Sequence, residues 1–344
     1  MAVLTPSQQL KGHTAPVLCL AHQKESCLGP SVLASGAEDN TCRLWDLRTH
    51  RAVKGIKNLD DPVTSIAFPS PDTPLLYLSS GTKVLTYDLR QPGMILTEAL
   101  REYNFSNDEI NAIAINKKNS FLATADDEGD VHIVDLSTHK LYKKQIKSHS
   151  SICMSVKFHP RKAWEVWSGG SDSKVIHRDF SKGRPLDIFN MADIAPSSNQ
   201  MFNPPFVYAL DVSPHGDWLA AGLGDASIQL VQLTDQKYRA LPNAELGPRL
   251  LDGHSYMVSC LSFFASNDND EPFLLSGSAN GSLALWDLKD ATLQHTFEMD
   301  PASMTRLNAV LALPGTSGEQ QQCVAAGVLG AQGTQGALNV YNLF

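Results

Sequence analysis

The sequence predicts an all-β fold: a single seven-bladed propeller in which an N-terminal strand completes the last blade. Three observations predict it. Seven similar strand endings recur along the 344 residues. The endings follow turns rich in Asp, Asn, Gly or Ser, and those turns follow runs in which apolar residues alternate. Period-2 alternation bounded by small-residue turns is the pattern of antiparallel strands, and nothing reads as a long amphipathic helix.

The alternating runs are VLCLAH, VTSIAF, INAIAI, CMSVKF, VYALDV, VSCLSF and LNAVLA. Short runs of small residues come next, such as VLASG, FLATA, WLAAG and FLLSG, then turns such as GAEDNT, ADDEGD, GGSDSK, GLGDAS and GSANGS. The endings are WDLR at Asp46, YDLR at Asp88, VDLS at Asp135, HRDF at Asp179, LVQL at Leu233, WDLK at Asp287 and VYNL at Leu343. The first four aspartates are 42, 47 and 44 residues apart. Units therefore run roughly 12–58, 59–100, 101–148, 149–190, 191–251, 252–299 and 300–344 of one propeller spanning 1–344. The last one stops after a third-strand pattern, NVYNLF, while AVLTPSQQLKGH begins with an orphan strand. Residues 2–10 are expected to complete the last blade and remove two exposed sheet edges.

Bulk composition narrows the function classes. Apolar residues make up 42% and charged residues 19%, so a packed core is expected. Net charge is −8 and no Lys/Arg run stands out, which disfavours direct nucleic-acid binding and suits a basic partner. Six scattered cysteines (Cys19, Cys27, Cys42, Cys153, Cys260, Cys323) form no C-x-x-C pair; Cys19, Cys42, Cys153 and Cys260 lie in short apolar segments and read as small buried hydrophobes in a reducing compartment. No secretory signal and no apolar run approaching ~18 residues is present, so the expectation is an intracellular protein of cytoplasm and/or nucleus, with no membrane partner.

A period in the mid-forties with Gly-His at the start and Trp-Asp at the end resembles the WD40 repeat, four strands per blade. Gly12-His13, Ser148-His149 and Gly253-His254 fill the first slot. The resemblance implies a hydrogen-bonded brace of His13, Ser35, Asp39 and Trp45 in the first unit. In the sixth it implies His254, Ser276 and Trp286, with Asn280 in the Asp slot, hence a weaker or rearranged network. The passages EINAIAINKKNSFLATADDEGDVHIVDL, HSSICMSVKFHPRKAWEVWSGGSDSKVIHRDFSKGRPL and QMFNPPFVYALDVSPHGDWLAAG resemble the WD repeat-containing protein 53 family across most of residues 12–260. Relatives in that family often carry a long polar linker before the last unit, where this chain has only DPASMTRLN.

No G-x-S-x-G elbow, H-E-x-x-H, P-loop or dinucleotide fingerprint occurs, so a non-enzymatic scaffold without cofactor or metal is expected, a monomeric propeller working within complexes. Three features are candidates for function. Trp45-Asp46-Leu47-Arg48 fits the W-D-x-R pattern of propellers that dock on the adaptor of cullin-4 ubiquitin ligases, and Asp88 with Arg90 repeats it one unit later. The resemblance implies a substrate receptor for such a ligase. An Arg that only pairs with the preceding Asp is the alternative, and Lys289 fills the same slot. Asp60, Asp61, Asp108 and Glu109, which no turn requires, would attract a basic peptide such as a histone-like tail. Asp39, Asp172 and Asp225 read instead as turn residues. In the longest connection, Asn190 to Phe206, Met201, Phe202 and Phe206 either anchor a partner or tuck back over the propeller.

Overall fold

The computed structural model describes residues 2–71, 73–142, 146–194, 203–233, 244–265, 272–313, 321–330 and 334–343. The alternating runs become seven inner strands set in a ring: Val17–Ser26, Val63–Ala67, Ile110–Ile115, Cys153–Phe158, Val207–Val212, Val258–Ala265 and Arg306–Ala312. Each opens an antiparallel meander that steps outward through a second and third strand to a fourth, giving the seven blades. In blade one the path is Val17–Ser26, Gly29–Ala37, Thr41–Asp46 and Arg51–Ile56. The outer strand of blade two, Arg101–Tyr103, lies just beyond the 59–100 span read from the strand endings, because ten residues intervene after Arg90.

Why small residues precede each turn is now plain. The second strand of a blade faces its neighbour at close range, so bulk there collides with the next inner strand. A Cβ on Gly36 would run into Val63 and Cys19, and one on Gly169 into Val207. Around these strands the apolar residues gather into seven buried clusters among the described residues, one per blade interface. Cys19, Cys42, Cys153, Cys260 and Cys323 are buried in these interfaces and unpaired, and burial pushes the Cys19, Cys260 and Cys323 thiols up to about 12.

Side-chain hydrogen bonds tie inner strand to inner strand. Ser65 accepts from Ile113 N–H (3.1 Å), Ser155 from Leu210 N–H (3.2 Å), Asp211 from Phe263 N–H (2.8 Å) and Ser262 from Ala312 N–H (3.0 Å). Near the starts of the inner strands Asn111 donates to Cys153 O (3.2 Å), Ser259 to Leu307 O (3.0 Å) and Asn308 to Val17 O (2.9 Å), the last joining blade seven to blade one.

The N-terminal segment does two jobs where one was expected. Gln8–Gln9 pairs antiparallel with Asn339–Val340, and flanking bonds from Ser7 N–H to Val340 O (2.8 Å) and Leu10 N–H to Leu338 O (2.9 Å) complete blade seven. Ala2–Leu4 does not join it. It runs parallel to the outer strand of blade six, Phe297–Met299, as a fifth strand. Pro6 separates the two pieces, and its missing N–H and fixed φ interrupt a continuous ladder. A matching fifth strand on blade one, Ile95–Leu96, comes from the long third-to-fourth connection of blade two. Deleting residues 1–10 exposes the last strand of blade seven and the Leu10 pocket. Thermal melts of the deletion should show Tm lower by about 5 °C or more, and an unchanged Tm would contradict this closure.

Candidate functional site

Because strands alternate in direction, the connections of every blade alternate between two faces. The second-to-third turns and the connections from one blade to the next share one face. The first-to-second and third-to-fourth turns share the other. Asp60, Asp61, Asp108 and Glu109 therefore lie on the blade-to-blade face, and Arg48 and Arg90 lie together on the opposite face, on adjacent blades.

On the blade-to-blade face the brace of blade one is complete. Trp45 Nε1 donates to Ser35 Oγ (2.9 Å), Ser35 Oγ meets His13 Nε2 (2.8 Å), and His13 Nδ1 meets the Asp39 carboxylate (3.0 Å). Burial alone would raise the Asp39 carboxyl. Hydrogen bonds from His13, Thr41 and the Thr14 N–H instead hold it well below the usual carboxylate range. In blade six the relay is rerouted: Trp286 Nε1 and His254 Nε2 both meet Ser276 Oγ (2.8 and 2.7 Å), but His254 Nδ1 meets Ser282 (2.9 Å), which in turn donates to Asn280 (2.9 Å). Burial pushes His254 down to about 4, keeping the ring neutral, as bonding to two hydroxyls rather than a carboxylate allows.

Two further braces occur; His149 of the first lies in the slot read from the sequence, whereas the second was not read. In blade four His149 joins Asp172 (2.8 Å) and Ser168 (2.9 Å), while buried Arg178 stands where blade one has Trp45. In blade three Ser106 holds the histidine slot and the imidazole arrives instead from the third strand as His132, 3.5 Å from both Ser106 and Asp126. Asp225 of blade five pairs with Arg249 and accepts from Ser227 (2.6 Å), a turn residue as read.

On the opposite face the aspartates of the strand endings are turn caps. Asp46 accepts from Arg48 N–H (2.9 Å) and the Thr49 hydroxyl (3.0 Å), and the same bond recurs from Asp88 to Arg90 N–H, Asp135 to Ser137 N–H, Asp179 to Ser181 N–H and Asp287 to Lys289 N–H. Trp45 and Asp46, read as part of the docking set, are 2% and 7% exposed. They support the turn and do not reach a partner. The guanidinia do reach solvent: the Arg48 side chain is 70% exposed and that of Arg90 67%. Arg90 is held by Asp88 through Nε (3.0 Å) and Nη2 (2.7 Å), whereas Arg48 meets Asp46 only at 3.4 Å. Each arginine pairs with its Asp, as the alternative reading has it, and each keeps N–H groups in solvent.

Two of the other acidic candidates lie near Glu109: partial burial pushes its carboxyl up, and Asp127, Asp61 and Asp108 add to the rise, whereas Asp60 takes no part and its carbonyl accepts from Asn40 (2.9 Å). Asp61 is less idle than its sequence position implied, since its carboxylate packs over Gly81 and its carbonyl accepts from Ser80 (2.8 Å). Phe206 is half-buried, with its carbonyl accepting Gly224 N–H (2.9 Å), while Met201 and Phe202 lie outside the described residues. Among the described residues, no group of three or more His, Cys, Asp or Glu is placed to hold a metal ion.

If Asp46 is architecture and Arg48 display, the two separate in stability measurements. Asp46→Ala should destabilise by about 1–2 kcal/mol through the lost cap, and Arg48→Ala by no more than about 0.5 kcal/mol. Chemical denaturation of both variants checks this, and equal losses would contradict it.

Comparison with known proteins agrees with this geometry. The WD40 family, described as WD domain, G-beta repeat, matches residues 4–46, 199–231 and 248–287. A WD repeat-containing protein 53 homolog of Dictyostelium discoideum is 29% identical over 301 residues, covering 82% of this chain and 78% of that protein. Human kinesin-like protein KIF21B is 25% identical over 305 residues, but the chain spans 17% of its length. The crystal structure of the β-propeller domain of Cps50 (Swd1) from Myceliophteria thermophila superposes with a TM-score of 0.76 at 14% identity, over 99% of this chain and 100% of that one. The chain is a seven-bladed β-propeller with WD40 repeats at the matched residues, similar over most of its length to a WD repeat-containing protein 53 homolog.

Proposed function

We propose that this propeller is a non-enzymatic substrate receptor of a cullin-4 ubiquitin ligase, docking on the ligase adaptor through the face that carries Arg48 and Arg90. One observation carries the reading: two adjacent blades present the same Asp-Leu-Arg turn on one face, each capped from within and each with its guanidinium mostly in solvent. A capped turn fixes the backbone before binding, so an interface formed there orders little besides the two arginine side chains. A planar fork already aimed by an aspartate presents its remaining N–H groups to carbonyls or carboxylates of a partner. The setting we infer is intracellular, cytoplasm or nucleus, where six unpaired cysteines are kept reduced.

A second reading rests on the other face, where burial together with nearby Asp127, Asp61 and Asp108 raises the Glu109 carboxyl. Such crowding is relieved by an incoming cation, which suits a basic peptide. Affinity capture separates the two. Wild type should retain the adaptor, and the Arg48→Ala/Arg90→Ala double variant should retain roughly tenfold less or worse. Equal capture by the double variant overturns the docking role. Salt-sensitive binding of a basic peptide without adaptor capture favours the second reading.

A further inference from the structure

We infer that the face bearing Arg48 and Arg90 holds a second, separate contact on blades three and four: a half-exposed tryptophan, Trp164, ringed by cations, that binds an acidic polypeptide segment through one apolar side chain. This inference does not rest on the ligase reading. Trp164 ends the first-to-second turn of blade four and is 42% exposed. The indole is far from loose. Its ring lies 4.9 Å from Phe121, 5.3 Å from Phe180 and 5.6 Å from Tyr142, and its carbonyl accepts Phe180 N–H at 3.1 Å. An aromatic fixed on one side and open on the other gains contact area on binding while losing little side-chain entropy, the property of interface anchors.

The elements that hold the indole also carry the charge. Asn116 donates to Ala163 O (3.4 Å), which brings the Lys117-Lys118 turn of blade three beside Trp164. Tyr142 follows exposed Lys140, and Phe180 precedes exposed Lys182 and Arg184. Arg161 lies in the tryptophan's own turn. Some of this charge is met within the chain: Arg161 pairs with Asp217 (2.6 Å) and Lys182 with Asp179 (3.0 Å). Lys117, Lys118, Lys140 and Arg184 extend into solvent. In a chain of net charge −8, such a gathering is not background.

The turn is also rigid beneath the patch. His159, buried at 2% exposure, accepts at Nδ1 from Arg161 N–H (3.1 Å) and Lys162 N–H (3.2 Å). Burial, aided by neighbouring Lys162, pushes it down to about 4, so the imidazole stays neutral and keeps accepting. A single-stranded nucleic acid also uses cations and an aromatic, but it needs a cationic track free of carboxylates. Glu165, Asp179 and Asp217 interrupt this one. An acidic segment needs only a few cations around one apolar anchor, and that is what these turns provide.

The test uses the full chain and a fluorescently labelled nonapeptide of alternating Asp and Glu with a central Phe, titrated by anisotropy at about 50 mM salt. Wild type should bind it roughly tenfold more tightly than the same peptide with central Ala, and binding should weaken on raising salt to about 300 mM. Trp164→Ala should lose the preference for Phe. Lys117→Glu/Lys118→Glu, at two exposed positions, should weaken binding of both peptides by roughly tenfold while Tm holds, and it carries the test should Trp164→Ala fail to fold. Arg48→Ala/Arg90→Ala should bind as wild type does. No preference for Phe in the wild type, unchanged binding by the Lys117/Lys118 variant, or tighter binding of a single-stranded oligonucleotide than of the peptide overturns the inference.

Discussion

Everything in this molecule depends on one piece of β-pairing, Gln8–Gln9 against Asn339–Val340, which joins the two ends of the chain. Each blade packs only against its two neighbours, through one buried cluster per interface. Such a series has no central core to hold it if it opens. Closing it converts two free sheet edges into one more interface, and Asn308 reaching Val17 O adds a side-chain tie across the same seam. The close approach demanded at every interface then dictates small residues in the second strand, as the surroundings of Gly36 and Gly169 show.

Within that ring, one geometric need is met by several chemistries. The connection entering a blade has to be tied to that blade's second-to-third turn, and in blade one the relay from Trp45 through Ser35 and His13 to Asp39 does it. Blade six substitutes a hydroxyl for the carboxylate beside His254, blade four loses the indole and keeps His149 with Asp172, and blade two uses Ser80 on the Asp61 carbonyl. On the other face, Asp caps fix the third-to-fourth turns from their own backbone. The side chains just beyond two of these caps, Arg48 and Arg90, bond to their own aspartates and still extend largely into solvent, so they can vary without changing the fold.

The fold was legible because its causes are periodic: alternating runs recur seven times along the chain, and small residues at close approach and polar turns recur in most units. What escaped the sequence was relational. Nothing local says that Ala2–Leu4 leaves blade seven for blade six, or that Ile95–Leu96 returns to blade one, since parallel edge pairing leaves no alternation signal in two or three residues. The site was less legible than the fold. The motif pointed to Trp45 and Asp46 along with Arg48, and only burial separated support from display. The cluster around Trp164 was invisible for a different reason, because Phe121, Tyr142 and Phe180 come from three separate segments of the chain and meet Trp164 only when blades three and four pack.

The central claim is a division of labour between the two faces, with the capped-turn face meeting the ligase adaptor we propose as partner. Hydrogen exchange measured with and without that adaptor tests it most directly. Slowed exchange in peptides covering residues 46–50 and 88–94, with residues 58–61 and 106–109 unchanged, is the result expected. Slowed exchange confined to 58–61 and 106–109 would contradict the assignment and move the partner to the acidic face.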